Sequence, residues 1–189
     1  MSAPELGRTS RAHDAMRQHE VISAGALSGV LGGGVMTALS AIGAALQGDD
    51  PSLSLAAIGE TLAGGDAGAS KIALGALLHL ATCAAIGILF AAVVPREFPT
   101  ACAAGLGVGI ALFTAGAMMS TIVPWANPGF RARIQAIGGT WTIAVAAFGA
   151  ALGAAPFLRR WISGAAPAAA DRRPVPAARA PVAPSTRAS

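Results

Sequence analysis

His79 and Cys83 lie four residues apart in a long apolar segment without charged side chains. If that segment is helical, both side chains are on the same face. Imidazole and thiol can bind metals or take part in covalent catalysis. Because an ionisable residue in a membrane segment is a functional candidate by default, we take this pair as the first candidate site. The alternative is a neutral, structural imidazole that is hydrogen-bonded to a neighbouring helix.

Further polar residues open the last apolar segment of the chain, namely Gln135, Thr140 and Thr142. Together with His79 and Cys83 they are the candidate functional polar residues. We expect His79 to hydrogen-bond to Thr140 or Thr142, because their two segments place these residues in the same half of the membrane. Such a bond would satisfy a buried polar group.

Several kinds of chemistry lack the residues that they need. A closed zinc site takes four ligands, and the predicted spans contain no second histidine and no carboxylate. The chain also has no Gly-rich phosphate loop after a strand and no Ser-His-Asp set that could close. We therefore predict no catalytic residue, no metal and no cofactor. The net charge of +4 lies in flanks and loops, so we expect no nucleic-acid partner.

The elements that hold these residues are apolar helices. The chain is 54% hydrophobic and only 12% charged, which is typical of a membrane protein. Its longest uncharged stretch, residues 21–47, would reach about 40 Å as a helix, enough to cross a bilayer. Further spans are predicted over about 72–94, 100–123 and 134–157, and Pro95 to Pro99 should turn spans two and three into a hairpin. The sequence thus predicts an all-α, polytopic four-transmembrane-helix bundle.

Small residues recur every four positions along these spans, as in a glycine zipper. Gly and Ala on one face let helices approach closely in lipid, where burial of apolar surface does not drive association. We expect the bundle to pack through these faces. The predicted packing residues are Gly25, Gly29, Gly33, Gly75, Gly87, Gly105, Gly109, Gly149 and Gly153.

The parts outside the spans are polar or short. Residues 1–20 form a polar N-terminal segment, and residues 158–189 are a disordered tail rich in Ala, Pro and Arg. Residues 51–64 are too short to span and are predicted to form an amphipathic helix, interfacial or re-entrant, between spans one and two. Pro156 is expected to end the last regular helix. The predicted interface anchors are Trp125, Arg159, Arg160 and Trp161.

Positive charge is unequally distributed between the two ends of the spans. Of the 13 Lys and Arg residues, ten lie in the N-terminal segment, the turn after Pro95 and the tail. The remaining three lie in the loops after spans one and three. The positive-inside rule therefore predicts that both termini are cytoplasmic.

A combination of weak motifs resembles uncharacterised bacterial four-helix integral membrane proteins. The motifs are the Pro-led segment 51–62, the histidine in span two (His79) and the Trp-Ala-Asn-Pro loop at 125–128. The resemblance covers about residues 20–160 and implies a multi-pass protein of the bacterial inner membrane. Members often have a histidine early in span four, where this chain has Gln135 and Thr140.

These observations favour one class of function over two others. The first is a non-catalytic membrane component that packs with itself or with a larger complex. The second is a small transporter, channel or accessory subunit in which His79 lines a polar path. The third is a membrane enzyme that uses His79 and Cys83, which would require more convergent titratable groups than the spans contain. We expect the lipid bilayer and a possible homo-oligomer or membrane complex as partners.

Overall fold

The computed structural model describes residues 3–63, 68–127, 130, 134 and 138–165. This part of the chain is helical and contains no strand. The helices are α1 (Ala3–Leu46), α2 (Leu53–Ala63), α3 (Gly68–Val93), α4 (Thr100–Ala117), α5 (Val123–Ala126), α6 (Gly139–Leu152) and α7 (Ala155–Ala165). A π-helical turn, Met118–Ile122, joins α4 to α5. The all-α prediction is confirmed.

Among the described residues, four stretches are long and apolar enough to cross a membrane, as expected of a multi-pass membrane protein. They are Met16–Leu46, Gly68–Val93, Thr100–Trp125 and Gly139–Gly164. The predicted last span began at residue 134, and most of residues 131–137 lie outside the described residues. Residues 158–165 of the predicted tail are not disordered but belong to helix α7, and the part of the tail after residue 165 lies outside the described residues.

The predicted polar N-terminal segment belongs to the first helix from Ala3 onwards. Helix α1 extends back to Ala3, so the first span continues beyond the apolar stretch as one helix. Between Arg8 and Glu20 the chain contains neither Gly nor Pro, the two residues that most disfavour a helix interior. Nothing therefore interrupts the helix where its composition changes.

Helix α1 has a long helix on each side. It packs on α3 along one face and on α6 along another, and α4 packs on α6. Helices α3 and α4 make few contacts with each other, although only residues 94–99 separate them. The predicted hairpin of spans two and three therefore has a turn but little packed interface, because each of its helices packs on a different neighbour.

The most extensive helix contact is between α1 and α3. A Cβ atom added at Gly25 would meet the backbone of Gly87 and Ile88, and one added at Gly29 would meet the backbone carbonyl of Cys83. One added at Gly33 would meet the Cys83 side chain. The two backbones can approach this closely because Gly25 and Gly29 of α1 and Gly87 of α3 have no side chain at the contact.

Similar contacts join α4 to α6 and α2 to α3. Gly107 and Gly149 face each other, and Gly153 lies against Ala104. Gly75 packs on the α2 backbone at Leu55 and Gly59.

The predicted packing role does not hold within this chain for Gly105 and Gly109, around which there is open space. Residues two apart on a helix point about 200° away from each other. Once Gly107 faces α6, Gly105 and Gly109 must therefore point away from it.

The last span contains a break before Pro156. Helix α6 ends at Leu152, residues 153–154 form a turn, and α7 begins at Ala155. Pro156 was expected to end the helix; instead it occupies the first turn of a new one, where its missing N–H is not needed.

The break allows α7 to bring two arginines to the turn between α3 and α4. Arg159 is 5% exposed, and its Nη1 donates to the carbonyl oxygens of Ala91 and Val94, each at 3.0 Å. The last carbonyls of a helix have no partner within the helix, and Arg159 supplies one for the end of α3. Arg160 Nη1 donates to the Arg96 carbonyl at 2.6 Å.

Of the four predicted interface anchors, two thus bind protein backbone. The indole side chains of the other two lie at the surface, with Trp125 92% exposed and Trp161 63% exposed. Their contact with lipid headgroups stays a prediction.

We expect Gly29→Leu to lower the stability of the protein in detergent by about 1–3 kcal/mol, because a side chain at this position meets α3 backbone that cannot move aside. The matched change Leu27→Ile, at a position that is 42% exposed, should have little effect. Thermal unfolding of the two purified variants measures the difference. Equal melting temperatures would contradict the proposed contact.

Candidate functional site

A cavity of about 310 Å³ lies between α3 and α4. Met36 of α1 and Trp141 and Phe148 of α6 form its inner wall, and Ile58 of α2 and Phe130 lie at one end. The wall from α3 consists of Leu78, His79, Thr82, Cys83 and Ile86. Most of the lining is apolar, and the cavity occupies the gap that exists because α3 and α4 do not pack together.

The π-helical turn forms the outer wall. Met118, Met119 and Ile122 line the cavity there. Pro124 has no N–H, so the usual bond to the carbonyl four residues earlier, at Ser120, cannot form. The Ser120 hydroxyl donates to Gly116 O at 2.9 Å, and the Thr121 hydroxyl donates to Ala117 O at 2.6 Å. Local changes of helix register of this kind are frequent at functional sites.

His79 is half-buried and makes its hydrogen bond to α1. Its Nε2 lies 3.3 Å from the carbonyl oxygen of Gly33. A carbonyl can only accept, so Nε2 carries the proton and donates, which defines the tautomer of a neutral ring. The same carbonyl also accepts from the Thr37 hydroxyl at 2.9 Å.

The candidate pair is present, but its geometry does not activate the thiol. Cys83 Sγ lies 3.7 Å from His79 Nε2 and is 4% exposed. Because Nε2 donates to Gly33, it has no lone pair with which to accept the thiol proton. A catalytic thiol needs a base or a positive environment, and the described residues offer Cys83 neither. Among the described residues, no group of three His, Cys, Asp or Glu could hold a metal ion.

The expected bond from His79 to a threonine of span four is wrong. Thr140 packs against Gly43 of α1, and Thr142 is exposed. Gly43 lies ten residues after Gly33, which is about 15 Å along a helix, so Thr140 is far from the imidazole. Gln135 lies outside the described residues.

Sequence reasoning did not name Asn127 as a site residue. Its amide Nδ2 donates to the Ala57 carbonyl at 3.1 Å and contacts Thr61 Oγ1 at 3.4 Å. Its Oδ1 accepts from the backbone N–H of Phe130 at 3.0 Å. Asn127 thus holds α2 across the end of the cavity. The only signal in the sequence is an asparagine before a proline, which is typical of turns.

The other half of the helix assembly is closed. Phe90 and Val94 of α3, Ala103 of α4 and Leu152 of α6 belong to one buried cluster. The cavity lining on α3 ends at Ile86, one turn before Phe90. The cavity is therefore open in one half of the span and does not continue as a channel through the described helices.

Comparisons with protein-family models, curated proteins and solved structures find no match. The resemblance drawn from the motifs thus rests on those motifs alone.

We expect His79→Gln to leave the melting temperature almost unchanged, because an amide N–H can replace the donor. His79→Leu should cost about 0.5–1.5 kcal/mol, the usual net value of one hydrogen bond, since the Gly33 carbonyl keeps the Thr37 hydroxyl as a partner. Thermal unfolding of both variants in detergent tests this. A loss that is equal in the two variants would show that the Gly33 contact is not what stabilises His79.

Proposed function

We propose that this protein is a non-catalytic membrane component that holds a lipophilic molecule, or one chain of a lipid, in the cavity between α3 and α4. One observation carries the proposal: two helices that are consecutive in the chain leave an apolar space between them, with only a few polar groups in its wall. Apolar cavities with a small number of polar groups are typical ligand sites.

The size and lining of the cavity support a hydrocarbon occupant. Its volume of about 310 Å³ is roughly twice that of an engineered apolar cavity that binds benzene. A hydrocarbon chain of roughly twice the size of benzene is of this order. The side chains of Ile86, Ile110, Met119 and Phe148 offer no charge with which a polar solute could pair. A neutral His79 and the threonine hydroxyls would contact at most one polar group of the ligand.

The arrangement of the helices supports entry from the membrane. Since α3 and α4 make few contacts, the gap between them faces the surroundings of the helices, which in a membrane are lipid tails. Phe113 of α4 is 78% exposed and Leu89 of α3 is 66% exposed, so the outer surfaces beside this gap are apolar. A lipophilic molecule could therefore reach the cavity without crossing water.

The transporter and enzyme alternatives have less support. A polar path would have to continue past Phe90 and Leu152, which are buried in a closely packed cluster. An enzyme would need an activated group, and the imidazole of His79 donates its Nε2 proton to Gly33 rather than acting as a base towards Cys83. A binding role requires neither feature.

The proposal also includes the membrane that holds the protein and the way its helices are arranged there. We place the four spans in the bacterial inner membrane as a bundle that packs through its glycine faces, with α2 at the membrane interface. Assembly with a second copy or a larger complex would use the open face of α4 that contains Gly105 and Gly109. The mass of the purified protein in detergent tests that assembly.

We expect both termini in the cytoplasm, since ten of the 13 basic residues lie on that side. A reporter that is active only in the cytoplasm should be active when it is fused after Ser163. Activity of a reporter that works only outside the cytoplasm, at the same fusion point, would overturn this orientation.

We expect a brominated medium-chain alcohol to quench the fluorescence of Trp141 to saturation, because this indole lines the cavity. Trp125→Phe and Trp161→Phe, both at exposed positions, remove the other two tryptophans. In that background Ala115→Phe, which fills the cavity, should abolish the saturable quenching.

The matched control is Ala117→Phe, which adds the same ring at an exposed position two residues away. It should leave the quenching intact. Linear, unsaturable quenching in the parent, or equal loss in both variants, would contradict a binding site between α3 and α4.

A further inference from the structure

A second concave surface lies at the opposite end of the helices from α2. This groove has a volume of about 660 Å³ and runs between the start of the first span and the end of α3. Arg17, Arg96, Glu97 and Arg159 line it. These residues come from three separate parts of the chain, so the fold itself brings the three guanidinium groups together.

Arg159 has donors that its structural role does not use. Only its Nη1 donates to the end of α3, to Ala91 and Val94. The side chain is only 5% exposed. Its Nε is buried and has no hydrogen-bond partner among the described residues. An unpaired donor on a buried cation is costly and is usually explained by a ligand or an ion. The Nε–Nη2 edge of a guanidinium fits two oxygens of a phosphate.

The charges around the groove favour an anion. Three arginines and one carboxylate line it, and the contact between Arg96 Nε and Glu97 Oε1 at 3.0 Å is solvent-exposed. Glu20 lies near Arg159 and partly offsets it, but the lining keeps an excess of positive charge. An exposed ion pair is weak, so Arg96 can turn towards a ligand at little cost.

Apart from Gln18, the rest of the groove is lined by apolar side chains. Val21 and Ile22 of α1 and Ile88 and Ala92 of α3 continue it from the arginines towards the middle of the spans. A free phosphate would make no favourable contact with this apolar surface, whereas the first part of an acyl chain would lie along it. Basic pockets between membrane helices at the cytoplasmic side are known to suit anionic headgroups.

We infer that this groove binds an anionic phospholipid, with its phosphate between Arg17, Arg96 and Arg159 and its chain along α1 and α3. The site is separate from the cavity between α3 and α4 and does not depend on the function proposed for it. A lipid phosphate bound here would lie beside the Arg159 guanidinium and so stabilise the turn that Arg159 and Arg160 hold.

The test is thermal unfolding of the full-length protein in a neutral detergent, titrated with phosphatidylglycerol, with phosphatidylcholine of the same chains, and with inorganic phosphate. We expect phosphatidylglycerol alone to raise the melting temperature to a plateau. Arg17→Gln and Arg96→Gln should each weaken its apparent affinity about fivefold, the usual effect of one basic residue near an anionic lipid. Arg17→Lys, which keeps the charge, should retain most of the affinity.

The matched control is Arg8→Gln, which removes the same charge from α1 about 13 Å further from the membrane. It should leave the affinity unchanged, and all variants should melt like the parent without lipid, because neither Arg17 nor Arg96 caps a helix with its side chain. Three results would overturn the inference: an equal rise with phosphatidylcholine, the same rise with inorganic phosphate alone, or equal weakening by Arg8→Gln.

Discussion

The close approach of α1 to α3 is the constraint on which the rest of the structure depends. At Gly25 and Gly29 the α1 backbone meets the α3 backbone directly, and at Gly33 it meets the Cys83 side chain. In lipid, association of helices relies on such packing, since burial of apolar surface does not drive it. The same contact brings the Gly33 carbonyl within reach of His79, so the most conspicuous polar residue of the spans is satisfied by the packing itself.

The order of the helices follows from which faces carry the small residues. Helix α1 packs on two neighbours, α3 and α6, whereas α4 packs mainly on α6, where Gly107 meets Gly149. Because α3 and α4 are the outer members of this row, they are left without a shared interface. Arg159 and Arg160 bind the turn between them at one end, and Asn127 binds α2 at the other. The gap between α3 and α4 therefore remains as a cavity, and side-chain hydrogen bonds hold the structure at both of its ends.

The two concave surfaces differ in chemistry because they lie at different levels of the spans. The cavity between α3 and α4 is apolar and has a neutral imidazole in its wall, which suits a hydrocarbon group. The groove at the other end combines apolar side chains with Arg17, Arg96 and Arg159, which suits a lipid with a charged headgroup. The cavity and the groove both suit lipophilic ligands, and neither proposed binding role requires a reactive group.

The sequence by itself determined that the protein is helical with apolar segments long enough to span a membrane. Length, hydropathy and the lack of charge are local properties that can be read from each segment separately. It also indicated the packing residues Gly29 and Gly87, since a four-residue period is local too. Tertiary structure decided which face meets which neighbour, and so excluded Gly105 from packing within the chain and gave His79 a carbonyl instead of Thr140. The buried position of Arg159 depends on a helix far away in the chain, and no local pattern records it.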